Sequence, residues 1–157
     1  WFEGQKYFAC GLGEEQEERE IPVFKTVKYW LDLYFDGKEP DIAVPLHFIG
    51  TEFQKKVWGI LCSIPYGETV TYGEIASRLV SEGKCSCMSA RAVGGAVGRN
   101  KISILVPCHR VVGQNGNLTG YAGGMDRKVG LLELERGKIP DRGEMWHAAE
   151  EYSRGEK

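Results

Sequence analysis

The sequence predicts an α/β protein of the α+β type, in which a small N-terminal sheet-plus-helix domain precedes a mostly helical domain. Three observations support this prediction. The first twelve residues, WFEGQKYFACGL, place aromatic and small side chains around Gly4 and are typical of strand, turn and strand. Apolar residues recur at helical spacing in most of the later segments. One apolar run, ISILV at 102–106, is short enough for a single buried strand.

The first predicted helix begins at Pro22, after the acidic loop EEQEERE at 14–20, and Gly37 ends it. Its apolar stripe consists of Val23, Phe24, Val27, Trp30, Leu31, Tyr34 and Phe35. A proline-containing connector, KEPDIAVPLHFIG at 38–50, follows the helix, and we place a domain boundary there. The expected units are an N-terminal structural domain at 1–49, a second domain at 50–137 and a polar tail at 138–157.

Two capping-box patterns predict the next two helices. Thr51 and Gln54 begin the first, and Thr71 and Glu74 begin the second. Pro65 ends the first of these helices. Their apolar stripes consist of Phe53, Val57, Trp58, Ile60, Leu61 and Ile64 in the first helix, and of Ile75, Ala76, Leu79 and Val80 in the second.

A further helix, SARAVGGAVGRN from Ser89, consists almost entirely of small residues. Each interior glycine costs roughly 1 kcal/mol relative to alanine, so the close approach of a neighbouring backbone has to compensate. Two short helices joined by the loop SEGKCSCM at 81–88, with Arg91 on the second, form a helix-turn-helix pattern. Two packed core helices would give the same pattern, but the basic residues nearby favour DNA binding.

The remaining elements follow in order. After ISILV come a PCHR turn at 107–110, an extended Val-Val pair, a turn at 114–117 and a glycine-rich loop at 120–124. A last helix is expected near 125–136, ended by Gly137.

Charge is distributed unevenly along the chain. The net charge is −2 over 157 residues, yet the segment 84–128 carries seven basic residues and one acidic residue, a net of +6. Such a concentration suits contact with a polyanion. No apolar run approaches the roughly 18 residues that span a bilayer. The five cysteines, an odd number, are expected to be thiols in a reducing, intracellular compartment, with Cys85 and Cys87 as loop residues.

Cys108, His109 and Arg110 stand side by side after an apolar run that Pro107 ends. A zinc site would need a further Cys or His at two to five residues' spacing, and adjacent residues share one metal poorly. A free thiol is only a few per cent thiolate at pH 7, and neighbouring imidazole and guanidinium groups raise that fraction. The pattern therefore predicts a reactive sulfur.

The segments PCHRVV, ARAVGG upstream and GYAGG downstream resemble the O6-alkylguanine-DNA alkyltransferase family (methylated-DNA–protein-cysteine methyltransferases). The resemblance covers most of the chain, since WFEGQKYF is similar to the family's N-terminal strand and residues 51–137 to its catalytic domain. It implies a truncated ribonuclease-H-like N-terminal domain and a winged-helix-like helix-turn-helix in the second domain.

The resemblance also implies catalytic roles. Cys108 is the alkyl acceptor, His109 acts through a water as its base, and Glu135 orients the imidazole. Asn100 pins the active-site backbone, although a plain helix C-cap is its alternative role. Tyr72 helps to turn the nucleotide out and donates a proton toward the departing guanine.

The remaining implied residues bind the base and the DNA. The base pocket comprises Tyr121, the backbone N–H of Ala122, Val111, Lys128 and Arg110. The DNA-binding set comprises Ala90, Arg91, Ala92, Gly94, Gly95, Arg99 and Tyr72. Because an ordinary helix, 10–12 Å wide, fits poorly into a minor groove about 6 Å wide, small residues would let this helix approach. Arg91 would fill the space that the flipped base leaves.

The expected partner is double-stranded DNA that contains O6-alkylguanine, bound by a monomer with no membrane contact. Neither a cofactor nor a metal is expected, since Cys10 and His47 alone do not make a tetrahedral zinc site. Location would be cytoplasmic and nucleoid-associated in a bacterium or archaeon, and nuclear in a eukaryote.

Three other functions compete with single-turnover alkyl transfer. A non-catalytic sensor of alkylated bases would lack the acceptor cysteine, which this chain has. A cysteine hydrolase would turn over an ester many times, and a helix-turn-helix regulator would prefer one operator sequence.

Overall fold

The computed structural model describes residues 22–83 and 86–138. It contains the helices α1 (Pro22–Phe35), α2 (Glu52–Leu61), α3 (Tyr72–Ser81), α4 (Ala90–Val97) and α5 (Met125–Glu135), the strands β1 (Val70–Thr71) and β2 (Val111–Val112), and 3₁₀ turns at Cys108–Arg110 and Gln114–Gly116. This helix-dominated architecture with a small parallel sheet confirms the predicted fold class. The predicted strand–turn–strand at 1–12 and the tail from residue 139 lie outside the described residues.

The helices begin at the residues that the capping patterns predict. In α2 the Thr51 hydroxyl accepts from the Gln54 N–H at 3.2 Å, and the Gln54 side-chain oxygen accepts from the Thr51 N–H at 2.9 Å. Thr71 and Glu74 form the same reciprocal pair at the start of α3, at 3.1 and 2.6 Å. The Ser89 hydroxyl caps α4. Each cap satisfies backbone N–H groups that a helix start leaves unpaired.

The two short strands pair in parallel, with Val70 opposite Val111 and Thr71 opposite Val112. The extended conformation of the Val-Val pair is confirmed, whereas its pairing with β1 was not predicted. Because α3 begins at the residue after Thr71, the pairing brings the start of α3 beside the turn at 108–110.

The prediction of a buried strand at 102–106 is wrong. The Leu105 N–H donates to the Ser103 carbonyl at 3.0 Å, which closes a γ-turn around Ile104. Ile104 has a φ of 74°, a strained value for a β-branched residue. The turn directs Ile104 into one apolar cluster and Ile102 and Val106 into another. A run with the pattern of one strand therefore serves two packing surfaces.

Two apolar clusters form the core. In the larger cluster, α2, α3 and α4 pack against one another. The smaller cluster joins α1 to α5 and consists of Tyr34, Ile104, Leu131 and Leu134. Tyr121 packs against both clusters. The turn at 108–110 lies at their junction, since Cys108 belongs to the larger cluster and the His109 ring contacts Tyr34 of the smaller one.

In the part of the chain that the structure describes, no helix is long and apolar enough to cross a bilayer.

Candidate active site

The candidate nucleophile lies in a tight turn. Pro107 has φ −78° and ψ 64°, and the Cys108 N–H donates to the Val106 carbonyl at 2.8 Å, so Pro107 forms an inverse γ-turn. The proline ring favours this φ, which gives a reason for a proline directly before the cysteine. Cys108, His109 and Arg110 then form one 3₁₀ turn, and all three are buried, with 5% of Cys108 exposed.

Asn100 holds this turn and reaches the sulfur. Its Nδ2 donates to the Val106 carbonyl at 2.9 Å and to Sγ of Cys108 at 3.1 Å. The alternative role of Asn100 as a helix C-cap is wrong, because α4 ends at Val97 and Gly98 is its C-cap. Burial raises the pKa of the Cys108 thiol, and the Asn100 hydrogen bond partly offsets this rise. The thiol therefore needs a base if it is to react at neutral pH.

A buried network surrounds the carboxylate of Glu135, at the end of α5. Glu135 Oε1 lies 2.7 Å from His109 Nε2, and both side chains are fully buried. Arg110 donates from Nε to Oε2 at 2.9 Å and from Nη2 to Oε1 at 3.0 Å. Burial alone would raise the pKa of Glu135, but hydrogen bonds from His109 and Arg110 outweigh it and hold the pKa at about 2. Glu135 is therefore an anion at neutral pH.

The contacts of His109 identify the nitrogen that is able to act as a base. We assign the ring proton to Nε2, because this atom faces the Glu135 carboxylate, which only accepts hydrogen bonds. Burial lowers the pKa of His109, so the imidazole is neutral at pH 7. Its Nδ1 is buried and has no hydrogen-bond partner among the described residues. The Nδ1 lone pair is thus available for a proton, and Glu135 is placed to stabilise the imidazolium that would form.

Sequence reasoning missed two members of this network, Tyr34 and Gly67. The Tyr34 hydroxyl donates to Glu135 Oε1 at 2.6 Å and lies 3.3 Å from His109 Nε2. The Gly67 N–H donates to Glu135 Oε2 at 3.1 Å. A tyrosine in an apolar helix stripe does signal a hydroxyl that needs a partner once it is buried. The sequence carries no sign of which partner that is, and a backbone N–H carries no sequence signal at all.

Lys128 brings a positive charge close to the sulfur. Its side chain is fully buried, and Nζ donates to the carbonyls of Val111 at 2.6 Å and Thr119 at 3.0 Å. Burial lowers the pKa of Lys128 to about 8. The ammonium group in turn helps to lower the pKa of Cys108. Lys128 therefore favours the thiolate form of the candidate nucleophile.

The glycine-rich loop and Thr119, the residue before it, contact Tyr72 and Lys128. The Tyr72 hydroxyl donates to the carbonyl of Thr119 at 3.3 Å, the same carbonyl that Lys128 contacts. Tyr121 is half-buried against the core, and Ala122 is exposed. The structure thus brings four of the predicted site residues to one loop.

Val111 and Arg110 have mainly internal contacts. Val111 is fully buried in the larger cluster. The Arg110 guanidinium binds Glu135, donates to the Ile64 carbonyl at 2.6 Å and lies 5.6 Å from the centre of the Tyr66 ring. A buried charge requires such partners. That either side chain contacts a bound base stays a prediction.

The outer side of α4 carries small residues and one cation. Its exposed residues are Ala90, Arg91, Ala92 and Gly95, whereas Val93, Ala96 and Val97 are buried. A Cβ at Gly94 would lie 3.8 Å from the Tyr72 ring, so α4 passes close to the start of α3. Arg99 is exposed and donates to the Gly95 carbonyl at 3.0 Å. Because most of its exposed side chains are small, another molecule can approach the backbone of α4 closely.

No three side chains among the described His, Cys, Asp and Glu residues are placed to hold a metal ion together. His47 is exposed, and Cys10 lies outside the described ranges.

Two family models match most of the chain. Residues 52–137 match the model for the DNA binding domain of 6-O-methylguanine DNA methyltransferase, and residues 1–48 match the model for its ribonuclease-like domain. This chain belongs to the 6-O-methylguanine DNA methyltransferase family. Within the family's DNA-binding domain lie Cys108, His109 and Glu135, whereas Tyr34 lies in the ribonuclease-like match.

Curated members of the family are about half identical to this chain. The methylated-DNA--protein-cysteine methyltransferase of Mycobacterium leprae is 52% identical over 76% of this chain and 70% of its own length. The protein of the same name from Methanosarcina acetivorans is 52% identical over 85% of this chain and 86% of its own. The chain spans 64% of the length of the Mycobacterium tuberculosis relative.

A solved structure of a family member has the same fold. The crystal structure of Mycobacterium tuberculosis OGT in complex with DNA aligns with a TM-score of 0.69 and 47% identity, covering 78% of this chain and 73% of that one.

Proposed function

We propose that this protein repairs DNA by direct reversal, transferring the alkyl group of an O6-alkylguanine in duplex DNA irreversibly to its own Cys108. The observation that carries the proposal is the buried thiol in the same turn as His109, whose Nε2 faces Glu135 and whose Nδ1 has no partner among the described residues. Membership of the family and the names of its curated members support it.

The chemistry balances within the residues present. Sγ of Cys108 attacks the alkyl carbon, the S–C bond forms and the C–O6 bond breaks. His109 takes the thiol proton at Nδ1, through an intervening water, and Glu135 stabilises the resulting imidazolium. The guanine leaves as a neutral base once it gains a proton; we assign this proton to Tyr72, which then regains one from solvent. Because the S–C bond of the thioether product resists cleavage in water at neutral pH, each protein molecule acts once.

The substrate oxygen lies inside a base stack, so the nucleotide has to turn out of the duplex. We assign α4 to the minor groove, with its exposed small residues against the DNA and Arg91 in the space that the base leaves. The minor groove carries little sequence information, so binding of this kind is nearly independent of sequence. We further assign catalysis and DNA binding to 50–137 and a structural role to 1–49, in a protein that acts as a monomer.

The base pocket is the surface around the glycine-rich loop. Tyr121 would stack beside the base, and the backbone N–H of Ala122 would donate to it. Lys128, whose Nζ binds the carbonyls of Val111 and Thr119, would hold the start of the loop in place and keep a positive charge near the sulfur. No cofactor takes part.

Intact-protein mass spectrometry tests the proposal. After incubation with duplex DNA that contains one O6-methylguanine, the protein is expected to gain one methyl group, mapped to the peptide that contains Cys108. Cys108→Ala should gain none and still bind the DNA. Cys62→Ser and Cys87→Ser remove exposed thiols and should react like the wild type. Methyl transfer by Cys108→Ala would refute the assignment of Cys108 as the acceptor. If the wild type binds the DNA but gains no methyl group, the protein is a non-catalytic lesion-binding protein instead.

A further inference from the structure

The Tyr34 hydroxyl lies inside the candidate active site, although its helix is far away in the sequence. Tyr34 is fully buried. Its hydroxyl donates to Glu135 Oε1 at 2.6 Å, the oxygen that also faces His109 Nε2. The segment that supplies this hydroxyl, α1, precedes the domain that carries the nucleophile.

Packing fixes the position of the Tyr34 ring. Trp30 stacks on it with 5.3 Å between ring centres and 12° between ring planes. Phe35 and Tyr66 meet it edge to face, at 5.5 and 5.9 Å. With the ring held on several sides, the hydroxyl oxygen has little freedom to leave Glu135.

The hydroxyl is a permanent donor. Burial and the negative charge of Glu135 both raise the pKa of Tyr34 far above its ordinary value, so the phenol stays protonated. A short hydrogen bond from a neutral hydroxyl to a buried carboxylate is among the stronger kinds in proteins. It helps to hold Oε1, which His109 and Arg110 also contact, while Arg110 and Gly67 donate to Oε2.

We propose that Tyr34 is a positioning residue for alkyl transfer, which orients His109 by holding Oε1 of Glu135 and shares the negative charge that Glu135 presents to the imidazole. The inference rests on the proposed function of Cys108. It gives α1 a part in the chemistry, because the catalytic domain alone does not contain this donor.

Tyr34→Phe removes the hydroxyl and keeps the packed ring. At saturating O6-methylguanine duplex, the single-turnover rate is expected to fall about ten-fold, a fraction of the ~10²–10⁴-fold that a positioned general base contributes. Affinity for the DNA should not change. With one donor fewer on Oε1, Glu135 stabilises the imidazolium more strongly, so the acid limb of the pH–rate profile should move to higher pH.

Tyr66→Phe is a matched control. Tyr66 belongs to the same aromatic group, and its buried hydroxyl has no hydrogen-bond partner among the described residues. This variant should transfer at the wild-type rate with an unshifted profile. Equal losses in Tyr34→Phe and Tyr66→Phe would overturn the proposal in favour of simple packing, as would a Tyr34→Phe protein with the wild-type rate and profile.

A measurement without substrate separates this inference from the proposed function. Titration of the side-chain ¹⁵N resonances of His109, one of three histidines in the chain, should give a higher pKa in Tyr34→Phe than in the wild type. An unchanged titration would overturn the positioning role even if Cys108 transfers alkyl groups normally. If the pKa of His109 is higher in Tyr34→Phe as expected but the wild type gains no methyl group, only the proposed function is overturned.

Discussion

Replacing Glu135 by glutamine tests the buried network at its centre. The change keeps the size of the side chain but removes the negative charge, and it turns one acceptor oxygen into a donor. Donors from His109, Arg110 and Tyr34 all converge on this carboxylate. The amide cannot accept from all of them, and the Arg110 guanidinium remains buried without its counter-charge.

The pKa of Glu135 sets the size of the effect. Its value of about 2 lies about 2.5 units below the ordinary value of 4.5, and each unit corresponds to ~1.4 kcal/mol. The carboxylate therefore contributes on the order of 3 kcal/mol to the free energy of unfolding at pH 7, which agrees with the ~3–5 kcal/mol lost when one member of a buried ion pair is removed. Since the folded pKa is depressed, this contribution is complete above the unfolded pKa and declines as the pH falls from about 4.5 toward 2.

Urea denaturation of the wild type and Glu135→Gln at pH 7 and pH 3.5 measures this contribution. The difference in unfolding free energy should be about 3 kcal/mol at pH 7 and about 2 kcal/mol at pH 3.5. Glu133→Gln, at a half-buried position on the same helix, provides the control and should differ little from the wild type. A loss below about 1 kcal/mol in Glu135→Gln at pH 7, or a loss equal to that of Glu133→Gln, would refute the network as described.

Three further predictions concern the sulfur of Cys108, the imidazole of His109 and the outer side of α4. Asn100→Ala should raise the pKa of Cys108, because it removes a hydrogen bond to the sulfur. Peptide mapping after iodoacetamide treatment should show that Cys108 is alkylated at higher pH than in the wild type, and an unchanged pH dependence would count against this contact. The rate of methyl transfer should fall at acid pH as His109 becomes protonated, with an apparent pKa below the ordinary 6.5, because burial lowers the pKa of this imidazole. Single-turnover rates measured across pH 5–8 would contradict this prediction if the midpoint of the fall lay above pH 7. Gly95→Leu should weaken duplex binding at least ten-fold in fluorescence anisotropy, but its free energy of unfolding should be unchanged or up to about 1 kcal/mol higher, because a Cβ there meets only the end of a flexible arginine side chain. Gly59→Leu on α2, where a Cβ meets nothing within 4 Å, is the control and should bind normally.

Local features of this protein were predictable from its sequence. The capping residues Thr51, Thr71 and Ser89 begin helices because a side-chain oxygen two or three residues from an unpaired N–H satisfies it without help from the rest of the chain. The adjacency of Cys108 and His109 likewise predicts a reactive thiol, since neighbours in sequence are neighbours in space.

The sequence by itself determined where the helices begin and that the thiol of Cys108 lies beside an imidazole, because both depend on contacts within a few residues. Tertiary structure alone decided the rest. The run at 102–106 has the pattern of a strand, but it turns at Ile104, because Ile104 packs in one apolar cluster and its neighbours Ile102 and Val106 pack in another. Tyr34 meets Glu135 across 101 residues of chain, and its stripe position on α1 is equally consistent with a plain core tyrosine. Which buried hydroxyl reaches which carboxylate depends on how two helices pack, and no local pattern encodes that geometry.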